Sequence, residues 1–441
     1  MASIKTNSLF GFLGFLVPSV ITLLSYPIII GHIGISKFGI FTLATSFSGT
    51  LAFLDFGFSA ATLKFMAEYD SKGKKDDASS ILTTSIYFYG TLGILVSILV
   101  WCFSPLIVSF FSIIPKDKHE AIWVFRVAGV QFFFFFLTTV MISLFKGLQR
   151  FDYSTMVLSL LSILTFGGGA IGVAIFKVGL LGITLISCAS NLIILITSTI
   201  YGNKLCKNNN IKFFKGLPDK KSFEHMFKYG SIMTINSASG IFLYQIQRYV
   251  IGAYISTSAV TIYQLAMTIC SKAHAVVDSA TAILFPVAAS VSQKINQFRK
   301  TYVKMLLSSG FVSFVILLPL YLFTNIILKT WIGEQLANQV APLVRVLVFA
   351  FFFLSLSPAP YHVINGVGKL WLNTFSYALN AILNVVFIIL FAFSKLDLLC
   401  IALAFTLANI INSIIYQLLS EIIIWRNPIL LKIKAKFIYG S

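Results

Sequence analysis

Long apolar runs, separated by short polar segments, recur along the whole chain. A membrane hydrocarbon core about 30 Å thick is spanned by roughly 20 residues of α-helix, and only helices or closed barrels satisfy their backbone polar groups there. The runs reach this length without the alternating pattern of barrel strands, so they predict an all-α helical bundle. The twelve predicted transmembrane helices are 8–31, 38–60, 79–111, 120–145, 153–176, 179–203, 225–253, 257–290, 302–326, 340–364, 370–393 and 397–424.

Composition supports an integral membrane protein. Hydrophobic residues make up 58% of the 441 residues and charged residues 11%, whereas soluble domains are about 45–50% apolar and about 25% charged. No small-residue cleavage site follows the first apolar run, so we expect segment 8–31 to be a retained helix and not a signal peptide.

The positions of the basic residues predict the orientation of the chain. With the N-terminus inside, the predicted inner segments, counted together with the first few residues of the adjoining spans, hold 23 Lys and Arg residues. The outer loops hold 6, and 4 lie deeper within spans. This bias predicts a multi-pass protein with both termini in the cytoplasm. Topology and contact with anionic lipids of the bilayer then explain most of the net charge of +19, and no nucleic-acid partner is expected.

Similar motifs recur at offsets near half the chain length. GIFTLAT (39–45) aligns with TIYQLAM (261–267) at a shift of 222 residues, and FRV (125–127) aligns with VRV (344–346) at a shift of 219. The repeats predict two pseudo-symmetric six-helix lobes, and transporters built from repeats bind substrate between them. The predicted parts are an N-terminal lobe at 1–203, a cytoplasmic linker at 204–224, a C-terminal lobe at 225–424 and a basic cytoplasmic tail at 425–441.

Four basic residues lie within predicted spans and away from their inner ends: Arg126, Arg248, Lys272 and Arg345. A charged side chain at the bilayer centre costs about 2.5–3.5 kcal/mol on insertion scales, so each should face the bundle interior, water or a headgroup. The interpretation we favour is a path for an anionic substrate group such as a phosphate, because Arg grips phosphate oxygens in bidentate geometry. The alternative is that these side chains extend to the membrane interface.

Other polar residues in the spans are candidates for ion coupling or glycan contact. Asp278 would carry a coupling ion if burial raises its proton affinity, with a structural role as the alternative. Asp55 is a second candidate, although its Asp-Phe-Gly turn favours anchoring of a helix end. Asn373, Asn380 and Asn384 share one helix face; we favour hydrogen bonds between helices, with contact to sugar hydroxyls as the alternative.

Longer motifs resemble a known family. They are GISKFGIFTLATSFSGTLAFLDFGFSAATLKFMAEYDSKGKKDDASS (34–80), FKGLQRFDYSTMVLSLLSIL (145–164), QIQRYVIGAYISTSAVTIYQLAMTI (245–269) and INGVGKLWLNTFSYALNAILNVV (364–386). The chain resembles the polysaccharide and O-antigen unit flippases of the multidrug/oligosaccharidyl-lipid/polysaccharide exporter superfamily. One departure is Gln247, because many relatives have an acidic residue there, so no Asp–Arg pair is assumed beside Arg248.

The resemblance implies a MATE-like fold whose central cavity opens alternately to either side of the bacterial inner membrane. It also implies a substrate, undecaprenyl-diphosphate-linked oligosaccharide, and partners in a polymerase and a chain-length regulator of the same pathway. The sequence has no GxxxxGK[ST] and no HExxH motif, so we expect a transporter without a cofactor, coupled to a proton or sodium ion. A multidrug or cation antiporter of the same superfamily, and a membrane glycan polymerase or ligase, are the alternatives.

Overall fold

The computed structural model describes residues 4–282, 295–366, 370–393 and 396–426. Within these ranges the chain is α-helical apart from turns, a 3-10 segment at Ala52–Asp55 and a π-helical turn at Ile163–Gly167. The helices are α1 (Ile4–Ile33), α2 (Ile35–Leu51), α3 (Phe58–Ser71), α4 (Lys75–Ser109), α5 (Pro115–Gly147), α6 (Phe151–Ser162), α7 (Gly168–Phe176), α8 (Leu180–Asn208), α9 (Lys220–Tyr244), α10 (Ile246–Tyr254), α11 (Thr257–Ala282), α12 (Ile295–Leu322), α13 (Thr324–Ile332), α14 (Glu334–Leu354), α15 (Pro358–Gly366), α16 (Leu370–Ala392) and α17 (Leu398–Arg426).

Ten helical segments among the described residues are long and apolar enough to cross a membrane. They are Leu16–Ile33, Ile35–Asp55, Lys75–Ser109, Pro115–Gly147, Phe151–Phe176, Leu180–Asn208, Tyr302–Leu322, Glu334–Tyr361, Trp371–Ala392 and Leu398–Ile422. They overlap the first six and the last four predicted spans, so the all-helical, multi-pass architecture is confirmed.

The two remaining predicted spans are helical but less apolar. Span 225–253 corresponds to α9 and α10, and the described part of span 257–290 corresponds to α11. The polar run SIMTINSASG (231–240) and residues such as Lys272 and His274 lower the hydropathy of these helices. The predicted total of twelve therefore depends on α9 to α11.

The chain forms two compact units, residues 1–264 and 265–441. The predicted lobe boundary, 204–224, precedes this division because α9, α10 and the start of α11 pack with the first unit. The predicted lobes and their internal symmetry stay predictions.

In the first unit, α5 packs closely between α4 and α8. Small residues permit this approach: a Cβ on Gly129 would lie 2.9 Å from the Val100 side chain. The Ser97 hydroxyl also donates to the Gly129 carbonyl at 2.8 Å. Close packing and hydrogen bonds between helices replace the hydrophobic effect as the source of association inside a membrane.

In the second unit, α17 packs against α14 and α16. Phe351 of α14 and Phe405 of α17 are both buried, with ring centroids 5.9 Å apart. His274 of α11 contacts the same part of α14 through a 2.7 Å hydrogen bond between Nδ1 and the Ser355 hydroxyl.

Candidate functional site

Arg248 lies in the first turn of α10, directly after a break in the helix. The break is at Gln245, between the end of α9 and the start of α10, where φ is −105° and ψ is −32°. The Gln245 carbonyl accepts hydrogen bonds from the backbone N–H groups of Arg248 at 3.1 Å and of Tyr249 at 3.4 Å. A new helical segment therefore begins here, and its own contacts determine where Arg248 lies.

Those contacts hold α10 against α2 and the turn after α4. The hydroxyl groups of Tyr249 and Thr50 are hydrogen-bonded. Gly252 allows close packing, because a Cβ there would lie 2.9 Å from Leu43 Cδ2. Its carbonyl also accepts a hydrogen bond from the Ser112 N–H at 2.8 Å. The short helix is thereby fixed, together with the base of the Arg248 side chain.

Within the part of the chain that the structure describes, hydrogen bonds engage one nitrogen of the Arg248 guanidinium. Nη1 donates to the Ser46 hydroxyl at 3.3 Å and to the Gln245 side-chain carbonyl. Nε is buried and has no hydrogen-bond partner among the described residues. A guanidinium can present two parallel N–H groups to a phosphate or carboxylate, and the edge that contains Nε is one that could do so. The protein thus orients Arg248 while leaving donor capacity unused.

This guanidinium borders a cavity of about 100 Å³ in the first unit. At about 30 Å³ per water molecule in the liquid, such a volume holds a few waters or a phosphate group, but no sugar chain. None of the described residues that line the cavity is acidic. These are Tyr26, Phe38, Phe41, Thr42, Thr45, Ser46, Phe166, Gln245, Arg248 and Gln264. The cavity is therefore a positively charged site with hydroxyl and amide groups around the charge.

Arg126 occupies a different environment. Its guanidinium carbon lies 5.3 Å and 4.9 Å from the ring centroids of Trp101 and Trp123, and its Nε donates to the Ser104 hydroxyl at 3.2 Å. The two indoles are 41% and 37% exposed. Arg126 precedes Lys146 by 20 residues, or about 30 Å of helix, which matches the hydrocarbon thickness. The structure therefore favours the interfacial alternative for Arg126.

The other two predicted cations belong to the second unit. Arg345 in α14 is exposed, and Lys272 in α11 is half-buried. Neither lines the Arg248 cavity. Their assignment to an anion path stays a prediction.

Asp55 anchors the start of α3. Its carboxylate accepts hydrogen bonds from the Ser59 N–H at 3.2 Å and the Ser59 hydroxyl at 2.8 Å, and a third from the Tyr89 hydroxyl of α4. The anchoring role is confirmed, and a role in ion coupling stays a prediction. The side chain of Asp278, the other coupling candidate, lies outside the described residues.

The predicted asparagine face of α16 lies against α17. Three hydrogen-bonded pairs join these helices: Tyr416 donates to Asn373, Asn412 to Ser376 at 3.2 Å, and Asn380 to Asn409 at 3.0 Å. Asn384 is also buried. Hydrogen bonding between helices is thus confirmed for Asn373 and Asn380, and contact with sugar hydroxyls stays a prediction.

Sequence reasoning missed the polar partners of Arg248. Ser46 is 202 residues away in the chain, and one serine among the several hydroxyl residues of α2 gives no signal of such a contact. Gln247 is buried and its side-chain amide donates to the Leu243 carbonyl at 2.7 Å. The position that is acidic in many relatives therefore carries a neutral amide here.

Comparison with known proteins is consistent with this membrane architecture. Residues 4–292 match the family described as "Polysaccharide biosynthesis protein". A Shigella flexneri protein named "Putative O-antigen transporter" is 20% identical over 415 residues, covering 94% of this chain and 97% of that protein. An uncharacterized membrane protein of Methanocaldococcus jannaschii is 23% identical over 362 residues, covering 78% of this chain and 69% of that protein.

Solved structures identify the fold. An inward-facing multidrug resistance MATE family transporter of the MOP superfamily is similar at a TM-score of 0.81, with 14% identity and coverage of 94% of this chain and 98% of that chain. The lipid II flippase MurJ, in an inward closed conformation, is similar at a TM-score of 0.78, with 14% identity and coverage of 93% and 87%. These findings confirm the MATE-like fold and the predicted resemblance. The chain belongs to the polysaccharide biosynthesis protein family.

Proposed function

We propose that this protein is a flippase that moves undecaprenyl-diphosphate-linked oligosaccharide from the cytoplasmic to the outer leaflet of a bacterial inner membrane. Membership of the polysaccharide biosynthesis family supports this function. The name of the Shigella flexneri relative also supports it, and so does the fold shared with the lipid II flippase. In this proposal the binding cavity opens alternately to the two sides of the membrane, and no bond of the substrate is made or broken.

The observation that carries the proposal is the environment of Arg248. A diphosphate must pass through a medium of low dielectric constant, where an unpaired charge is costly. The Arg248 cavity offers a guanidinium with unused donor capacity, surrounded by the hydroxyls of Thr42, Thr45 and Ser46. Charge-assisted hydrogen bonds from such a group offset the desolvation of a phosphate.

The same cavity argues against a cationic cargo. Carboxylates favour the binding of cationic drugs, but none of the described residues that line this cavity is acidic. A buried cation beside Arg248 would be repelled without compensation. A cation antiporter is therefore the weaker candidate for this chain.

The proposal also includes the energy source for transport and the orientation of the chain in the membrane. The sequence has no nucleotide-binding motif, so we propose that a proton or sodium gradient drives transport, with Asp278 and Asp55 as the candidate coupling residues. Both termini face the cytoplasm in this account, because the basic residues are concentrated on that side. The polymerase and chain-length regulator of the pathway would receive the product.

The test is to measure where the lipid-linked oligosaccharide accumulates after deletion of the gene. Mass spectrometry of extracted lipids should show complete lipid-linked units, and an impermeant glycosidase added to spheroplasts should fail to cleave them. Reintroducing the protein should restore surface glycan. Incomplete saccharides would indicate a glycosyltransferase, and complete units exposed on the outer face would indicate a polymerase or ligase; either result would refute the flippase.

A further inference from the structure

The linker 209–219, between α8 and α9, is tied to the surface of α4. Three of its backbone N–H groups donate to buried hydroxyls on one face of that helix. The pairs are Lys212 with Ser79 at 2.9 Å, Lys215 with Thr83 at 2.9 Å and Asp219 with Thr84 at 3.3 Å. These bonds fix the linker backbone along about a turn and a half of α4, so the linker and α4 together form a defined surface.

Asp219 also fixes the start of α9. Its carboxylate accepts hydrogen bonds from the Ser222 hydroxyl at 2.8 Å and from the Ser222 N–H at 3.0 Å. These bonds, with the side-chain bond from Ser222 as the largest influence, lower the pKa of Asp219. The carboxylate therefore stays ionised, and its charge suits the N-terminus of a helix.

The linker and α4 enclose a predominantly apolar groove of about 350 Å³. One wall is the stretch of α4 from Thr84 to Leu95, which includes Phe88 and Leu92, and the other wall is Pro218 and Phe223. The twelve residues from Thr84 to Leu95 are separated by eleven helical rises, or about 16 Å, so the groove is elongated along the helix axis. Its shape and lining suit a hydrocarbon chain.

Two lysines lie in the first turn of α9, beside the groove, and the neighbouring Asp219 carboxylate is engaged by Ser222. Lys220 and Lys221 are exposed, and in the chain they stand between the two residues of the linker-side wall, Pro218 and Phe223. Lys220 approaches Glu224 only at 3.9 Å with both side chains largely exposed, so little of its charge is neutralised. Basic residues beside an apolar surface are typical of sites for anionic lipids.

We propose that this groove is the docking site on the cytoplasmic side for the polyprenyl diphosphate part of the substrate. The isoprenoid chain lies along α4 between Thr84 and Leu95, and the diphosphate contacts Lys220 and Lys221. This inference rests on the proposed flippase function and assigns the lipid carrier to a place separate from the Arg248 cavity. An isoprenoid diphosphate is favoured over a phospholipid because a diphosphate carries more negative charge than a phospholipid headgroup, which suits two adjacent exposed lysines.

The experiment measures binding of geranylgeranyl diphosphate to the purified full-length protein in detergent by native mass spectrometry. Leu95→Gln should weaken binding about tenfold, because a polar group replaces apolar surface in the groove. Leu99→Gln is the matched control: Leu95 and Leu99 are both 54% exposed, one helical turn apart, but only Leu95 lines the groove. Binding to the Leu99 variant should change less than twofold. Thr91→Trp, which fills the groove at an exposed position, should reproduce the loss.

Separate probes test the charged end and the competing occupant. Replacing Lys220 and Lys221 together with Gln should weaken the binding of geranylgeranyl diphosphate about 25-fold, from about fivefold per lysine, and should leave the binding of geranylgeraniol unaffected. Phosphatidylglycerol should not displace the probe from the wild-type protein. Equal binding by the Leu95 and Leu99 variants, or displacement by phosphatidylglycerol, would overturn the docking site. The accumulation test in the deletion strain is independent of this result, so the groove can fail while the flippase stands.

Discussion

Replacing Arg248 with Gln removes the guanidinium from the cavity and leaves a shorter, neutral side chain that ends in a polar amide. In the proposed complex, two N–H groups on the Nε side of Arg248 bind phosphate oxygens, because Nη1 is already bonded to Ser46 and Gln245. Hydrogen bonds to charged groups contribute about 1.5–3 kcal/mol each. The loss is then about 3–6 kcal/mol, which corresponds to about 10²–10⁴ in affinity for the diphosphate or in transport rate.

Related variants separate charge from geometry. Arg248→Lys keeps the charge but not the planar fork, so we expect it to recover only part of this loss. Arg248→Glu should be more damaging than Gln, because it adds repulsion toward the diphosphate. If Arg248 merely extended to the interface, Ala, Gln and Lys would all be nearly silent.

The assay is surface glycan in a deletion strain complemented at native expression, together with membrane protein level and thermal stability. The stability of the Gln variant should be close to wild type, because removal of a guanidinium that lacks a carboxylate partner relieves a desolvation cost. Arg150→Gln is the control: Arg150 pairs with Asp152 at 2.7 Å on a partly exposed surface, where an ion pair contributes about 0–1 kcal/mol. Normal glycan from the Arg248 Gln and Glu variants would refute the role assigned to this residue.

Two further predictions concern topology and packing. Single cysteines introduced at 112–119 should react with an impermeant thiol reagent added to intact cells, and those at 207–218 should not; reaction at 207–218 would reverse the orientation. Gly57→Ala should destabilise the protein by at least about 2 kcal/mol more than Gly73→Ala in thermal unfolding, because overpacking against backbone adds to the cost of a left-handed residue. The two glycines have similar φ, +70° and +68°, but only a Cβ at Gly57 would meet a neighbour, the Gly230 carbonyl oxygen at 2.2 Å; equal losses would show that this contact relaxes freely.

Hydropathy predicted most of the fold because a membrane-spanning segment must make its backbone hydrogen bonds within the protein, which leaves few alternatives to a helix. Its weakest region was α9 to α11, where polar residues and the break at Gln245 interrupt the apolar pattern. Three residues of this region line the Arg248 cavity: Gln245, Arg248 and Gln264. The signal for a membrane helix was therefore weakest at the place where polar side chains have a functional interpretation.

Individual site residues were predictable only as far as local sequence determines their surroundings. Arg248 was identifiable as a charge in an apolar run, but its partner Ser46 depends on how α10 packs against α2. Arg126 gave the same local signal as Arg248. Trp123, three positions earlier, lies on the same helical face, whereas the contact with Trp101 depends on the pairing of α4 with α5. The same charge pattern therefore corresponds to two different environments.

Reconstitution tests the flippase proposal most directly. Proteoliposomes containing the purified protein, an imposed proton or sodium gradient and an undecaprenyl-diphosphate-linked oligosaccharide should move that lipid between leaflets, as measured by its exposure to an impermeant glycosidase. We expect gradient-dependent exposure of the lipid-linked oligosaccharide beyond that in protein-free liposomes, and a strong loss of this exposure with the Arg248→Gln variant. Exposure no faster than in protein-free liposomes, with folded protein and the correct lipid present, would contradict it.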